Sequence, residues 1–468
     1  MHKKSSGHAK NVAGALHEIQ ISAMEYSNGL SFTGSRLLMS VLAAMLVHCP
    51  SISHSQDEKP ESSVVNVKTD ETGRQVLMFN NKPYEIHGVG GTSHLKDLAK
   101  YGGNSIRTWG IGSLEEKIEG VPLLDYCHKL GITVTAGIWI GHKRHGFDYS
   151  DQKQLEKQRE DVRAAVRKYR GHPALLLWGL GNEMEGPTSD GKDADIWKEL
   201  NKLAAIVKEE DPNHPVMTVI AGSSASKVKG ILEFYPNIDI LGVNAYAGAS
   251  GAPLAVKAAG WKKPFVLTEF GTPGHWEVPK TAWGAAIEPS SRDKAASYHA
   301  TVSLLNENKD ICLGSYAFLW GFKQEMTSTW YGMFLKSGEK LPSVDAMALV
   351  WTGKWPANRC PKIESITSSV DGKTVRPGGN ATATVSVKDP EGDPLEWEVY
   401  IAGENKNVSV GGDHEEAPPV IAGIAFKWEN DLLNFSVPKV PGAYRLFLTV
   451  RDGKGSASVG NIPFRVAN

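Results

Sequence analysis

The chain has 468 residues, of which 41% are hydrophobic and 22% charged, and its formal net charge is −1. That length is too great for one ordinary core and predicts two domains. The near-zero charge, with no Lys/Arg run, excludes the electrostatic attraction on which nucleic-acid arms and anionic-lipid binders depend. Four cysteines, Cys49, Cys127, Cys312 and Cys360, form neither a disulfide framework nor a metal-ligand spacing, and they read as buried or free thiols.

Residues 1–62 read as a leader and linker. Leu37 to Val47 is apolar and follows Arg36. It is too short to span a bilayer and fits a signal-peptide core, with small residues at Ser51 to Ser55 as the cleavage zone. The expected location is therefore secreted or periplasmic. Lipid anchoring at Cys49 is the lesser reading, because His48 suits a lipoprotein cleavage box poorly. Met24 and Met39 are alternative starts. Residues 50 to 62, rich in Ser, Pro and charge, read as a linker.

The next stretch, "VVNVKTDETGRQVLMFNNKPYEIHGVGG", alternates apolar and polar residues around turn signals and predicts a hairpin. Eight strands follow: Ile86 to Val89, Ser105 to Trp109, Thr133 to Ile140, Leu175 to Gly181, Val216 to Ile220, Ile238 to Asn244, Phe265 to Phe270 and Leu313 to Trp320. Helical patterns lie between most of them, clearest over Lys153 to Tyr169, Asp195 to Glu210 and Arg292 to Asn308. Eight β/α units over roughly 270 residues match a closed (β/α)8 barrel, here spanning 63–358 with its hairpin. A doubly wound sheet is the competing fold, but no Gly-rich phosphate fingerprint follows an early strand. From 359 to 468 the texture changes to period-2 alternation broken by Gly, Pro and Asp, which predicts a small all-β sandwich. It resembles the immunoglobulin-like or PKD-type modules of secreted carbohydrate enzymes. Asp389, Glu391 and Asp393 read as solvated turn residues ahead of calcium ligands.

Two strands carry the chemistry. "LLLWGLGNE" runs four apolar residues into Gly181, Asn182 and Glu183, and "KKPFVLTEFG" repeats the pattern into Glu269. Buried strands rarely end on a carboxylate unless it is paired or used. On the fourth and seventh strands of a barrel, two such carboxylates face one another across the mouth, where chemistry is usually placed. A pair about 5 Å apart suits retaining glycoside hydrolysis, in which one carboxyl protonates the leaving oxygen and the other attacks the anomeric carbon. A single strand-end Glu is more often a salt-bridge partner, so the pairing carries the reading. Glu185 is a secondary candidate beyond the strand tip.

"WGLGNE" and "VLTEFG" resemble the acid/base and nucleophile motifs of clan A retaining glycoside hydrolases, and "GGNSIRTWG" resembles the second-strand segment of family 2 barrels. The resemblance covers roughly 83 to 355. It implies Glu183 as general acid/base, Glu269 as nucleophile, Asn182 as a ligand of the sugar 2-hydroxyl and Arg107 as partner to Glu269. It also implies Tyr246, in "LGVNAY", beside the nucleophile, and Trp320, in "SYAFLWG", as the sugar platform. His142, at the third strand tip with Trp139 and His145, reads as a substrate ligand. Trp330 and Tyr331, in "KQEMTSTWYGMF", read as stacking residues on a rim loop, with Trp109 and Trp276 as lesser candidates.

The layout differs from full-length family 2 enzymes, which carry β-domains ahead of the barrel. It looks more like bacterial β-glucan-active enzymes. The expectation is a secreted retaining hydrolase of a β-glucan polysaccharide or oligosaccharide, with β-1,3 linkage leading. The alternatives are a β-glucan transglycosylase, a β-mannan or β-galactoside hydrolase of the same clan, and a non-catalytic glycan-binding protein. No metal or organic cofactor is implied, since two carboxylates suffice, and no nucleic-acid partner or membrane span is expected.

Overall fold

A computed structural model of the chain describes residues 61–185, 190–191, 193–409 and 412–468. The expected leader, with Cys49, lies outside the described residues apart from its last two positions. The described chain begins with three antiparallel strands, β1 (Val65–Thr69), β2 (Gln75–Phe79) and β3 (Lys82–Tyr84). The third strand exceeds the expected hairpin. Asn80 and Asn81 both take positive φ, 49° and 62°, which is the two-residue turn that pairs Phe79 with Lys82. Val65 and Leu77 of this sheet pack with Leu177, Met217, Val219 and Val266 of the barrel interior. Val65 N donates to Asn213 O and Gln75 N to Asp310 O, each at 2.8 Å, in loops that lead into barrel strands. The sheet thus plugs the N-terminal end and leaves the opposite end for the site.

The barrel strands are β4 (Ile86–Gly90) and β5 (Ser105–Arg107), then, after a short ribbon of β6 (Lys117–Ile118) and β7 (Val121–Pro122), β8 (Thr133–Ile138), β9 (Leu175–Leu180), β10 (Val216–Ala221), β11 (Ile240–Asn244), β12 (Phe265–Phe270) and β13 (Cys312–Ala317). All eight pair in parallel in that order, and β13 closes on β4. Helices α1 (Leu95–Lys100), α2 (Leu123–Lys129), α3 (Gln152–Tyr169), α4 (Ala194–Glu210), α5 (Ala225–Phe234), α6 (Ala252–Ala258), α7 (Ser291–Asn306) and α8 (Pro342–Thr352) lie along the barrel segment. Every residue of β8, β9 and β12 is buried, as expected of parallel strands covered on both faces.

Helix α3 shows how the wrapping also orders the mouth. Asp151 caps it, accepting from Lys153 N at 2.9 Å. Leu155, Gln158, Val162, Val166 and Tyr169 form its buried stripe. Gln158 is polar on that stripe because its Oε1 accepts from Gly141 N at 2.8 Å, which holds the loop after β8.

Eight further strands form two four-stranded sheets. One contains β14 (Lys362–Ser368), β16 (Asn380–Lys388), β19 (Leu432–Ser436) and β18 (Phe426–Glu429); the other contains β15 (Thr374–Val375), β21 (Ala457–Val466), β20 (Gly442–Arg451) and β17 (Glu396–Gly403). Alternate residues Ala381, Ala383 and Val385 of β16 join Ile401, Leu446, Leu448 and Phe464 of the other sheet in one apolar cluster. The acidic run at 389–393 is a tied turn: Asp389 Oδ1 accepts from Glu391 N and Asp393 N, Glu391 pairs with Arg359, and Asp393 pairs with Lys454.

These sheets are joined to the barrel by buried polar contacts. Ser291 Oγ donates to Val459 O at 2.8 Å, and Lys340 N and O bond Gly455 O and Ala457 N. Glu288 is buried, yet it accepts from Lys294, Thr327, Thr329 and Asn461 at 2.5–2.8 Å. Burial alone would raise its pKa, but the charges of Lys294 and Arg445 outweigh burial and hold it below the usual range. Among the described residues Cys127, Cys312 and Cys360 are buried and unbonded, and no helix is long and apolar enough to cross a membrane.

Candidate active site

The strand β9 ends in a sharp turn that re-aims the two residues after it. Gly181 has φ +70°, and a Cβ there would lie 2.6 Å from the Met184 side chain, so only glycine fits. Glu183 follows with φ 51°, an uncommon conformation for a non-glycine residue. Its backbone N donates to Val219 O at 2.9 Å, which anchors the turn to β10. Across the mouth, the β11–β12 register shifts between Val243 and Asn244, placing Asn244 opposite Glu269. An irregularity at a strand tip turns side chains off the regular ladder.

These tips meet in one hydrogen-bonded chain. Arg107, at the end of β5, donates from NH1 to Glu269 Oε1 at 2.9 Å and from NH2 to Asn182 Oδ1 at 2.7 Å. Asn244 Nδ2 donates to Asn182 Oδ1 at 3.1 Å and to Glu183 Oε1 at 2.9 Å. Thr268 fixes the Asn244 amide by donating to its Oδ1 at 2.8 Å. With Oδ1 of Asn182 taken by two donors, its Nδ2 makes no hydrogen bond to the described residues and remains a free donor.

The two carboxyls have different surroundings. Glu269 accepts from the Arg107 guanidinium, from Trp109 Nε1 at 2.9 Å and from Tyr246 OH at 3.0 Å. Glu183 accepts only from Asn244 among the described residues. Burial, then the charge of Glu269, raise its pKa to about 7, with Asn244 and Arg107 opposing. Glu185 stands apart: Ala221 N and Lys227 Nζ hold its Oε1 at 2.9 and 3.1 Å, so it is a buried salt-bridge partner.

The aromatic expectations need three corrections. Trp320 is fully buried, with its indole against Phe334 and Trp351 and its Nε1 donating to His94 O. It offers no face to a sugar. Phe318, two residues earlier, is also buried and meets Trp109, Tyr246 and Tyr331 edge to face at 6.0 Å. The strand ends at Ala317, so strand alternation no longer governs which aromatic faces inward. Trp330 is also buried, at 1% exposure, and its Nε1 donates to Pro273 O at 3.0 Å. Tyr331 is equally buried, at 1% exposure, and both rings pack with Phe318 in one apolar cluster, so neither offers a stacking face. Of the tryptophans singled out as candidates, Trp139 and Trp276 are exposed, at 43% and 55%. Trp276 stands edge-on to Tyr246, and Trp139 borders a groove of about 720 Å³ lined also by Ile111, Phe147 and Lys157.

His142 is buried beside Trp139, at a ring separation of 4.8 Å, and its Nε2 has no partner among the described residues. Burial, then Arg144 and His145, lower its pKa to about 4, so the ring is neutral at pH 7. Asn244 and Phe318 were not singled out from the sequence, and the hydrogen bond of Trp109 was not foreseen. Asn244 had a readable signal, since "LGVNAY" ends an apolar strand on a carboxamide as "LGNE" does.

Residues 118–275 match the sequence model of the family described as "Glycosyl hydrolases family 2, TIM barrel domain". A beta-glucuronidase of Sus scrofa is 26% identical over 298 residues, covering 56% of this chain and 42% of that protein. A putative beta-glucuronidase of Formosa agariphila is 27% identical over 194 residues, covering 41% and 16%. The chain thus spans less than half the length of these curated relatives. Among solved structures, an endo-1,4-beta-mannanase from Eisenia fetida is similar with a TM-score of 0.37 and 16% identity, covering 55% of this chain and 90% of that one. The segment 118–275 that is similar to this family model contains both Glu183 and Glu269.

Proposed function

We propose that this chain is an exported retaining β-glycoside hydrolase acting on β-glucan, with β-1,3-linked glucan first among substrates. The observation that carries the reading is the asymmetry of two carboxyls tied into one network, Glu269 with three donors and Glu183 near neutrality in its pKa. Glu183 donates its proton to the glycosidic oxygen as that bond breaks. Glu269 attacks the anomeric carbon and forms a glycosyl ester. Its Oε2 accepts from Tyr246 alone, whereas Oε1 accepts from two donors, so Oε2 is the attacking atom. Glu183, now ionised, takes a proton from water, and the hydroxyl releases the sugar with net retention. Asn182 Nδ2 is the polar group of the network left to bind a hydroxyl. Trp139 and Trp276 offer exposed stacking faces in place of Trp320.

The pattern of two four-stranded sheets sharing one core supports an immunoglobulin-like module over 359–468 behind a catalytic barrel over 63–358. The apolar segment Leu37 to Val47 supports export. The relatives named beta-glucuronidase favour β-glucuronides as the second substrate reading. The test is Glu269→Ala with an activated aryl β-glycoside panel. Turnover should fall about 10³-fold or more and return in part with azide, which enters the vacated face and gives the inverted product. A glycan-binding protein without catalysis turns over nothing in either form.

A further inference from the structure

One short segment of the sheet-rich C-terminal region reaches two loops at the barrel mouth. Lys323, in the loop after β13, donates from Nζ to Gly412 O at 2.9 Å, and the same Nζ lies 6.0 Å from the ring centre of Phe318. Glu415 is buried and accepts from Met326 N at 2.8 Å, as well as from Asn405 Nδ2 and Ser409 N within its own region. Asp413 lies 3.7 Å from both Arg144 and His145, in the loop after β8. Residues 413 and 415 are at most about 7 Å apart along the chain. One segment therefore ties the loop after the third barrel strand to the loop after the eighth.

Only β4 and β5 lie between those strands, and the tip of β5 leads into Trp109, a partner of Glu269. Arg144 pairs with Asp413 and Lys323 with Glu325, so both cations at this edge have carboxylate partners. Such a barrier presents hydrogen-bonding groups without a strong net field, which suits neutral sugar hydroxyls.

We propose that the segment 412–415 walls the cleft above β4 and β5, so that the C-terminal region sets substrate length and a glycan is attacked from its end. This rests on the Glu183/Glu269 reading. A chain blocked on one side of the paired carboxyls cannot pass through the site, and each cleavage releases a fragment of one size. Glu415 knots the wall to the barrel, and Asp413 forms its rim.

The test compares the full chain with Glu415→Ala and Asp413→Ala. Substrates are an aryl β-glycoside and the polymers β-1,3-glucan, β-mannan and β-galactan, with products sized during initial turnover. The second variant trims an exposed rim residue, so it keeps the test open if the first does not fold. The expected result is one product size from the parent chain and mixed sizes from either variant, with aryl-glycoside kcat/KM within about threefold of the parent. Mixed sizes from the parent, or an unchanged single size from the folded variants, overturn the wall. If the parent cleaves neither polymers nor aryl glycosides, the glycosidase reading fails first and the wall with it.

Discussion

Replacing Glu183 with Gln should stabilise the protein at alkaline pH and abolish its acid catalysis. The carboxyl has a pKa of about 7 in the folded chain against 4.5 for the ordinary group, with burial as the larger cause and the charge of Glu269 second. A group with a raised native pKa contributes its full stability below the unfolded value and loses it as pH rises through the folded value. The window is therefore about pH 4.5 to 7. At about 1.4 kcal/mol per tenfold, the complete effect is about 3 kcal/mol. The side chain retains some exposure, and solvent reduces the expected gain to about 1–3 kcal/mol. Glutamine stays neutral, and its carbonyl can still accept from Asn244. Urea unfolding of both proteins at pH 4 and pH 8 measures the effect. The variant should match the parent at the lower pH and exceed it at the higher. An equal difference at both values would mean that Glu183 ionises normally in the fold, and its assignment as the acid would fall.

Arg107→Lys keeps the charge but cannot bridge Glu269 and Asn182 together, so kcat/KM should fall about 10²-fold or more in an aryl-glycoside assay. Tyr246→Phe removes the donor to Glu269 Oε2; kcat should drop about 10- to 100-fold, while unfolding free energy changes by only about 1 kcal/mol. Gly181→Ala forces a Cβ into Met184 at a positive φ, so thermal unfolding should show a loss of about 1–3 kcal/mol, and activity should fall with the displacement of Glu183. In the parent enzyme kcat/KM should decline as pH rises through about 7, because Glu183 must begin each cycle protonated; a profile flat to pH 9 contradicts this.

The order of the barrel strands and the position of both carboxylates were legible in the sequence because each signal is local. An apolar run covered on both faces excludes polar residues until it emerges, so the first carboxamide or carboxylate after it marks a tip. Gly181-Asn182-Glu183 and Glu269 follow that rule, and the observed strands agree with the expected ones to within a few residues. The aromatic faces were not legible. Phe318, Trp320 and Trp330 are all large rings, and the chain's path after Ala317 buries every one of them. Asn244 and Trp109 gain their importance from partners more than sixty and one hundred and fifty residues away in sequence, which no local pattern encodes. The same holds for Asp413 and Glu415. Their sequence neighbourhood reads as a polar loop, and only the packing of two sheets against a barrel brings that loop to the mouth. Local hydrophobic patterning therefore determined the scaffold and its reactive tips. Long-range packing decided the orientation of each donor and the different surroundings of two carboxyls of the same kind.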